Sequence, residues 1–303
     1  MPQNLLDLVL CLASTTHKVS EIFRSTPVDH AGSSNVYGDE QLSVDLLADD
    51  EIFSNLKNSR LVSFAASEEQ PNGKSFDHPP GHEPPPFSVY FDPLDGSSIA
   101  DCNWSIGTIF SAYLGSASLC GRRGSDQVLA AVAVHGPRTT IVFGLNHPKL
   151  VFETTLINNA WFVTRLSFKI ETRAKIFSPA NLRSANDLPG YKRILDHWIS
   201  QRLTLRYTGG MVPDVVGILM KGNGIFASPV SDNARAKLRL VFEVAPIAMI
   251  IELAGGKAVA PIPGTRPTRI LDIDIETVND RIGIICGSES DVYECLSSIY
   301  QQP

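Results

Sequence analysis

Asp92-Pro93-Leu94-Asp95-Gly96-Ser97-Ser98 sets two carboxylates and a free backbone carbonyl directly ahead of a glycine-serine turn. Hard oxygen donors at this density suit Mg2+ or Mn2+ better than zinc. Gly96 lets the backbone approach a ligand closely, and the N–H groups of Ser97 and Ser98 offer an anion cradle. The preceding Phe87-Ser88-Val89-Tyr90-Phe91 is rich in β-branched and aromatic residues and reads as a strand. Both aspartates then stand at a strand's carboxyl end, where open α/β sheets bind ligands. A turn whose aspartates cap a helix is the plainer alternative, and the rest of the chain has to decide between them.

Working outward, Arg60–Ala66 reads as a buried strand that ends in Ser67-Glu68-Glu69, so two more carboxylates sit at a strand end. The stretch from Pro71 to Pro86 is rich in Pro, Gly and His and reads as a surface loop. It carries His78, His82 and Glu83 without metal-ligand spacing. Ile106–Leu114, Val128–Val134, Thr139–Leu145 and Trp161–Leu166 are strand candidates separated by Gly, Pro and Asn turns, and connections this short favour antiparallel pairing. Beyond about residue 168 helices and strands alternate. Tyr191–Gln201, Val212–Lys221 and Val241–Ala254 read as helices, Gly224–Ala227 and Arg281–Gly287 as strands, and a last helix follows. The expected division is 1–168 and 169–303, with the site in the cleft between them.

At 303 residues with 43% hydrophobic content, the chain can bury a large core. Leu5, Leu6, Leu8, Val9, Leu10 and Leu12 are interrupted by Asp7 with no basic region ahead of them, which argues against a signal peptide. Read at helical period, the segment runs on through Val19, Ile22 and Phe23 as a packed N-terminal helix. No run is long enough for a bilayer span, so no membrane partner is expected. Cys11, Cys102, Cys120, Cys286 and Cys295 form no Cys-x-x-Cys pair, which disfavours a zinc site and a disulfide framework. The net charge of −6 disfavours nucleic acid as a partner.

Carboxylates gather in separate clusters: Asp39 and Asp45, Glu68 and Glu69, Asp92 and Asp95, and Glu243. So many acids at one site would repel one another without cations. The reaction that most needs such a site is phosphate-monoester hydrolysis, whose catalysis demands roughly 20 kcal/mol or more of transition-state stabilisation. Paired metals about 4 Å apart supply much of it. Glu243 opens an apolar helix, where it is either partnered or a first-turn acid favoured by the helix dipole. Lys237 and Arg239 lie two apart, on one face if that segment is extended, and such a pair suits phosphate.

Together with Gly38-Asp39 and Asp45, Ser67-Glu68-Glu69, the Asp92–Ser98 stretch, Gly107-Thr108-Ile109-Phe110, the Phe177–Asn181 block, the Arg206–Asp214 block and the Lys237–Glu243 block, the chain resembles the fructose-1,6-bisphosphatase and sedoheptulose-1,7-bisphosphatase family over almost its whole length. The resemblance implies a mixed α/β (α+β) fold in five layers, αβαβα, with residues 1–168 as the metal and phosphate half and 169–303 as the sugar half. It implies a Mg2+ cofactor, two or three ions per site with Mn2+ possible, held by Glu68, Asp92, the Leu94 carbonyl, Asp95 and Glu243. Glu69 and Asp45 match the acids that help deprotonate the attacking water, and Asp39 belongs to a loop that closes the site. The turn of Gly96, Ser97 and Ser98 would hold the scissile 1-phosphate, and Lys237 and Arg239 the sugar and inner phosphate. For the distal phosphate the family implies Asn181, Arg206 and Tyr207. Arg183 stands where the fructose enzymes carry an aromatic residue.

The wording of the Phe177–Arg183, Leu205–Val215 and Pro137–Thr140 stretches is closer to the sedoheptulose branch. Ser228 falls where fructose enzymes have a tyrosine, and its smaller side chain leaves room for a longer sugar. The expectation is hydrolysis of the 1-phosphate of sedoheptulose 1,7-bisphosphate. The alternatives are a fructose-1,6-bisphosphatase, a dual enzyme and a non-catalytic sugar-phosphate sensor. The N-terminus lacks the helix junction that forms the AMP pocket in many fructose enzymes, and the cysteines lack the close pair of light-regulated plastid enzymes. Neither AMP inhibition nor thioredoxin control is expected. The resemblance also implies a sugar bisphosphate as small-molecule partner and a homodimer or homotetramer. The cytoplasm is the expected compartment, with a plastid or another organelle as the alternative.

Overall fold

The computed structural model is described over residues 2–28, 30–34, 40–77, 84–115, 119–261 and 267–300, with 30–34, 40 and 41 as backbone only. Gly38 and Asp39, and His78, His82 and Glu83 of the loop, lie outside the described residues. In chain order the elements are α1 (Gln3–Ser25), β1 (His30–Ser34), β2 (Glu40–Leu42), α2 (Ser43–Ser59), β3 (Val62–Ser67), β4 (Lys74–Ser75), β5 (Phe87–Asp95), α3 (Ser97–Ala100), β6 (Ile106–Leu114), β7 (Gln127–His135), β8 (Thr139–Leu145), β9 (Leu150–Ile157) and β10 (Ala160–Arg165). There follow β11 (Ile176–Pro179), α4 (Pro189–Ser200), β12 (Thr204–Leu205), α5 (Met211–Lys221), β13 (Ile225–Ser228), α6 (Ala245–Leu253), β14 (Lys257–Ala260), β15 (Thr268–Arg269), β16 (Ile284–Gly287) and α7 (Glu289–Tyr300).

Among the described residues, strands order as β10-β9-β8-β7-β6-β5-β3-β4 in one sheet and β12-β11-β13-β16-β14-β15 in another. The run from β5 to β10 is antiparallel, as its short connections require. β3 instead pairs parallel to β5, with Ser67 opposite Phe91. That one parallel pairing brings Glu68 and Glu69 to the same sheet edge as Asp92 and Asp95.

Alternation along the strands builds the layers, because successive side chains point to opposite faces. Val89, Phe91, Phe110, Ala112, Ala131 and Phe143 face a core shared with Leu8 and Leu12 of α1 and Ile52, Phe53 and Leu56 of α2. Tyr90, Ile109, Ala130 and Val132 face the other way, onto α5 and α6, where Phe226, Ile284 and Cys286 of the second sheet join them. Phe177, Ile225, Ala227 and Ile285 point outward beneath Tyr191, Ile194 and Trp198 of α4 and Val292 and Leu296 of α7. The sequence of layers is therefore α1/α2, large sheet, α5/α6, small sheet, α4/α7, the expected αβαβα.

Two parts of the expectation change. The segment read as one helix over Val241–Ala254 opens with a wider π turn over Leu240–Val244, in which the N–H of Val244 donates to Arg239 O at 3.0 Å. Such local widening often marks a functional site. α2 and β9 are elements that the hydrophobic pattern does not announce. α2 sets Asp45 and Asp49 among its buried positions and leaves Leu47 exposed, which blurs the helical period.

Candidate active site

The Ser67–Gln70 turn, the end of β5 and the π turn converge at the same edge of the large sheet. The N–H of Glu68 donates to Phe91 O at 3.1 Å, which sets Glu68 beside Asp92. Oxygen atoms of Glu68, Asp92 and Glu243 lie within 4.8 Å of one another. Asp92 and Glu243 are buried, and each carboxylate has a tether: Leu94 N–H donates to Asp92 Oδ1 at 2.9 Å, and Arg239 N–H to Glu243 Oε2 at 2.5 Å. Glu243 is thus both partnered and placed in the first turn, so the two sequence readings of it describe one arrangement.

Burial pushes the Asp92 carboxyl well above its usual range, with Glu243, Asp95 and Asp45 adding repulsion. Burial likewise raises Glu243 to about 8, the Arg239 N–H and guanidinium opposing and Asp95 adding to it. Asp95 is raised by burial to about 6 against hydrogen bonds from Val212 and Met211 N–H groups. Carboxyls that hold protons for want of positive charge are what a hard divalent cation would relieve. This oxygen-only donor set fits Mg2+ or Mn2+. Leu94 is buried between the two aspartates, with Gly96 in the left-handed region at φ 94° just beyond.

Asp45 lies in the first turn of α2 and is buried. Burial pushes it well above the ordinary value, helped by repulsion from Glu69 and Asp49. The pair Asp45 and Glu69, expected from the sequence, are therefore close enough to feel each other. Asp49 was not expected; nothing in the sequence but its spacing of four from Asp45 could have signalled it.

A cavity of 440 Å³ runs from Asp95 and Ser98 along Asn181, Arg183, Tyr207, Gly209, Gly210, Met211 and Asp214 to Ser228, Arg235 and Lys237. It joins the large sheet's edge to the second half of the chain. A second cavity of 360 Å³, between the end of α1 and the β6 and β7 ends, is lined by no carboxylate among the described residues, whereas Asp95 and Asp214 line the first. Arg235 and Asp214 are cavity residues the sequence reading did not single out. Asp214 Oδ1 accepts from Thr208 N–H at 2.8 Å, and burial raises this carboxyl to about 6.

Several expected substrate residues sit differently from the reading. Lys237 is exposed on the cavity, whereas Arg239 is buried and ion-paired with Glu68, so the two do not share a face. The reason is that Arg239 already belongs to the π turn, whose first carbonyl it supplies. Arg206 does not line the cavity; its guanidinium is bonded at 3.1 Å to Leu205 O in solvent. The Asn181 amide is committed to Pro229 O at 2.7 Å and Ala234 O at 3.0 Å, so its side chain shapes the cavity wall. Ser97 is exposed beside Ser98 without lining the cavity. Tyr207 and Arg183 are neighbours there, Arg183 opposing the rise in the Tyr207 hydroxyl's pKa that burial causes.

The fructose-1,6-bisphosphatase N-terminal domain matches residues 2–159 and the C-terminal domain of the same family matches residues 170–300. A chloroplastic sedoheptulose-1,7-bisphosphatase of Spinacia oleracea is 38% identical over 299 residues, covering 98% of this chain and 75% of that protein. A class 1 fructose-1,6-bisphosphatase of Syntrophotalea carbinolica is 36% identical over 300 residues, 96% of this chain and 87% of the other. Among solved structures, a Toxoplasma gondii protein assigned as a sedoheptulose-1,7 bisphosphatase superposes with a TM-score of 0.89 at 36% identity, covering 99% and 95% of the two chains. The holo form of Leishmania major fructose-1,6-bisphosphatase gives 0.88 at 28% identity, covering 98% and 95%. With both halves matched and the same layered fold, the chain belongs to the fructose-1,6-bisphosphatase family, which includes the sedoheptulose-1,7-bisphosphatases.

Proposed function

We propose that this sugar bisphosphatase, a phosphoric monoester hydrolase, is Mg2+-dependent and converts sedoheptulose 1,7-bisphosphate to sedoheptulose 7-phosphate and phosphate. The observation that carries the substrate choice is the continuous cavity joining Asp95 and Ser98 to Arg183, Arg235 and Lys237, with Ser228 rather than a large side chain in its wall. Glu68, Asp92, the Leu94 carbonyl, Asp95 and Glu243 would hold two or three Mg2+ or Mn2+ ions, which when bound polarise the phosphoryl group and neutralise developing charge.

The chain's own groups do the rest. Gly96, Ser97 and Ser98 hold the 1-phosphate through backbone N–H and hydroxyl groups. Glu69 and Asp45 take the proton of the attacking water; Asp45's burial and its repulsion by Glu69 suit it to keep that proton. Asp39 is assigned with them to the catalytic set. Lys237 binds the sugar and inner phosphate, and Arg183, Tyr207, Asn181 and Arg206 serve the distal phosphate. Arg239 offsets the charge of Glu68 from inside. In this reading residues 1–168 are the metal and phosphate half and 169–303 the sugar half.

A fructose-1,6-bisphosphatase or dual enzyme is the second reading, favoured by relatives of both names at 38% and 36% identity. Phosphate release with Mg2+ from the seven- and six-carbon bisphosphates, measured side by side, decides it. A higher kcat/KM for the fructose substrate reverses the choice. The assembly proposed is a homodimer or homotetramer, testable by light scattering. The cytoplasm is proposed over a plastid or another organelle, testable by fractionation.

A further inference from the structure

A buried carboxylate on the core face of α2 takes no part in the chemistry above. Asp49 is 1% exposed and shares its helix face with Val44, Asp45, Ala48, Ile52, Phe53 and Leu56. A charge in such a place costs stability, and an apolar side chain of similar size would pack there at less cost. Something must be gained for it.

Its partners are in the turn that carries two of the site's acids. Gln70 Nε2 donates to Asp49 Oδ2, and the Ser67 hydroxyl lies close enough to the same carboxyl to oppose the rise that burial gives its pKa. The turn closes on itself: Gln70 N–H donates to Ser67 Oγ at 2.9 Å and Ser67 N–H to Gln70 O at 3.3 Å. Gly73 N–H also donates to Gln70 O, at 2.9 Å. Between the two bonded residues, Glu68 and Glu69 are left to project toward the site. Glu68 is fixed further by its N–H on Phe91 O. One helical turn before Asp49, on the same face, stands Asp45.

We infer that Asp49 is a positioning residue: by gripping Gln70 from α2 it locks the Ser67–Gln70 turn to the helix that carries Asp45, setting Glu68 and Glu69 at working distance from Asp45 and Asp92. The link acts through hydrogen-bond acceptance, not through charge at the reacting centre. This rests on the proposed roles of Glu68 in metal binding and Glu69 and Asp45 in catalysis.

The test uses the full chain with three substitutions, Asp49→Ala, Asp49→Asn and Asp49→Leu, and three measurements: steady-state kinetics on sedoheptulose 1,7-bisphosphate, Mn2+ binding by calorimetry, and thermal unfolding. Loss of a group that orients metal-binding carboxylates lowers activity or metal affinity by about 10- to 100-fold. Asp49→Ala should therefore lower kcat by that factor with KM within about threefold, and weaken Mn2+ binding. Asp49→Asn keeps an acceptor for Gln70 and should restore most of both. Asp49→Leu should be as inactive as Asp49→Ala while unfolding no earlier than wild type, an outcome a merely structural role cannot produce. Gln70→Ala should resemble Asp49→Ala, and the two together should lose no more than either alone. Wild-type kcat and Mn2+ affinity in Asp49→Ala overturn the inference, as does an Asp49→Asn variant as impaired as Asp49→Ala. If the wild type binds Mn2+ but hydrolyses neither bisphosphate, the functional reading fails, and Mn2+ binding by the variants still decides the role of Asp49.

Discussion

The carboxylate of Asp95 accepts a 2.7 Å hydrogen bond from the backbone N–H of Val212, tying the end of β5 to the first turn of α5. The first N–H groups of a helix have no partner within it, and an acid at that end is favoured by the helix dipole. Asp95 therefore caps a helix from a different layer while facing the carboxylate cluster. Gly210, Met211 and Asp214, which line the cavity, are carried by the capped turn.

Asp95→Asn retains an oxygen for Val212 and removes one charge from the cluster. Phosphate release should fall by about 100-fold or more while circular dichroism stays that of wild type. Retained turnover would exclude Asp95 from the site.

Glu69→Gln should lower kcat by on the order of 100-fold and leave KM within a few-fold if Glu69 accepts the proton of the attacking water. A change confined to KM would make it a binding residue. The measurement is a saturation curve for each protein at fixed Mg2+.

Ser228 ends β13 on the cavity wall. Ser228→Tyr narrows the space proposed for the longer sugar and supplies a hydroxyl for a nearer phosphate. The ratio of kcat/KM for the seven-carbon over the six-carbon substrate should drop by about tenfold, a difference near 1.4 kcal/mol. An unchanged ratio removes Ser228 from substrate choice.

A Cβ on Gly107 would lie 2.4 Å from the Cβ of Val212, a branched side chain on the same turn that Asp95 caps. Gly107→Ala should cost about 1 to 3 kcal/mol by overpacking. Displacing the start of α5 should also raise KM. Denaturant melts and kinetics check both; wild-type stability would mean that α5 yields freely.

The acids also set a pH dependence. Burial raises Asp49, Asp95 and Asp214 to about 6 and Glu243 to about 8. In the folded state they bind protons that the unfolded chain has lost, so their contribution to stability declines as pH rises toward 8 and then levels off. His135, lowered by burial to about 3, acts the opposite way but only below its ordinary 6.5. With a chelator present, unfolding between pH 8.5 and 6.5 should therefore shift upward on acidification by on the order of 3 °C. Mg2+ should shrink that shift by taking the place of the protons. A downward shift in the chelated protein would contradict the burial of Glu243.

Strands with unbroken β-branched and aromatic runs were legible: β6 and β8 begin and end where their patterns do, at Ile106–Leu114 and Thr139–Leu145. α2 is not legible, because Asp45 and Asp49 occupy its core face, and the partner of Asp49, Gln70, lies in a turn beyond the helix. Lys237 and Arg239 pair by strand period, but a local π turn gives Arg239 to Glu68. Arg235 and Asp214 gave no local signal, since lining a cavity depends on elements remote in the chain.

The amino-acid order alone determined that Asp92, Leu94 and Asp95 precede a glycine-serine turn at a strand end, because side-chain chemistry and local backbone preference need no distant partner. Which other acids join them was decided by tertiary structure. The parallel pairing of β3 with β5 delivers Glu68, and the π turn ahead of α6 delivers Glu243, from positions 24 and 151 residues away from Asp92 by subtraction of residue numbers. Such a meeting depends on strand direction and layer packing, which are fixed by the burial of whole faces.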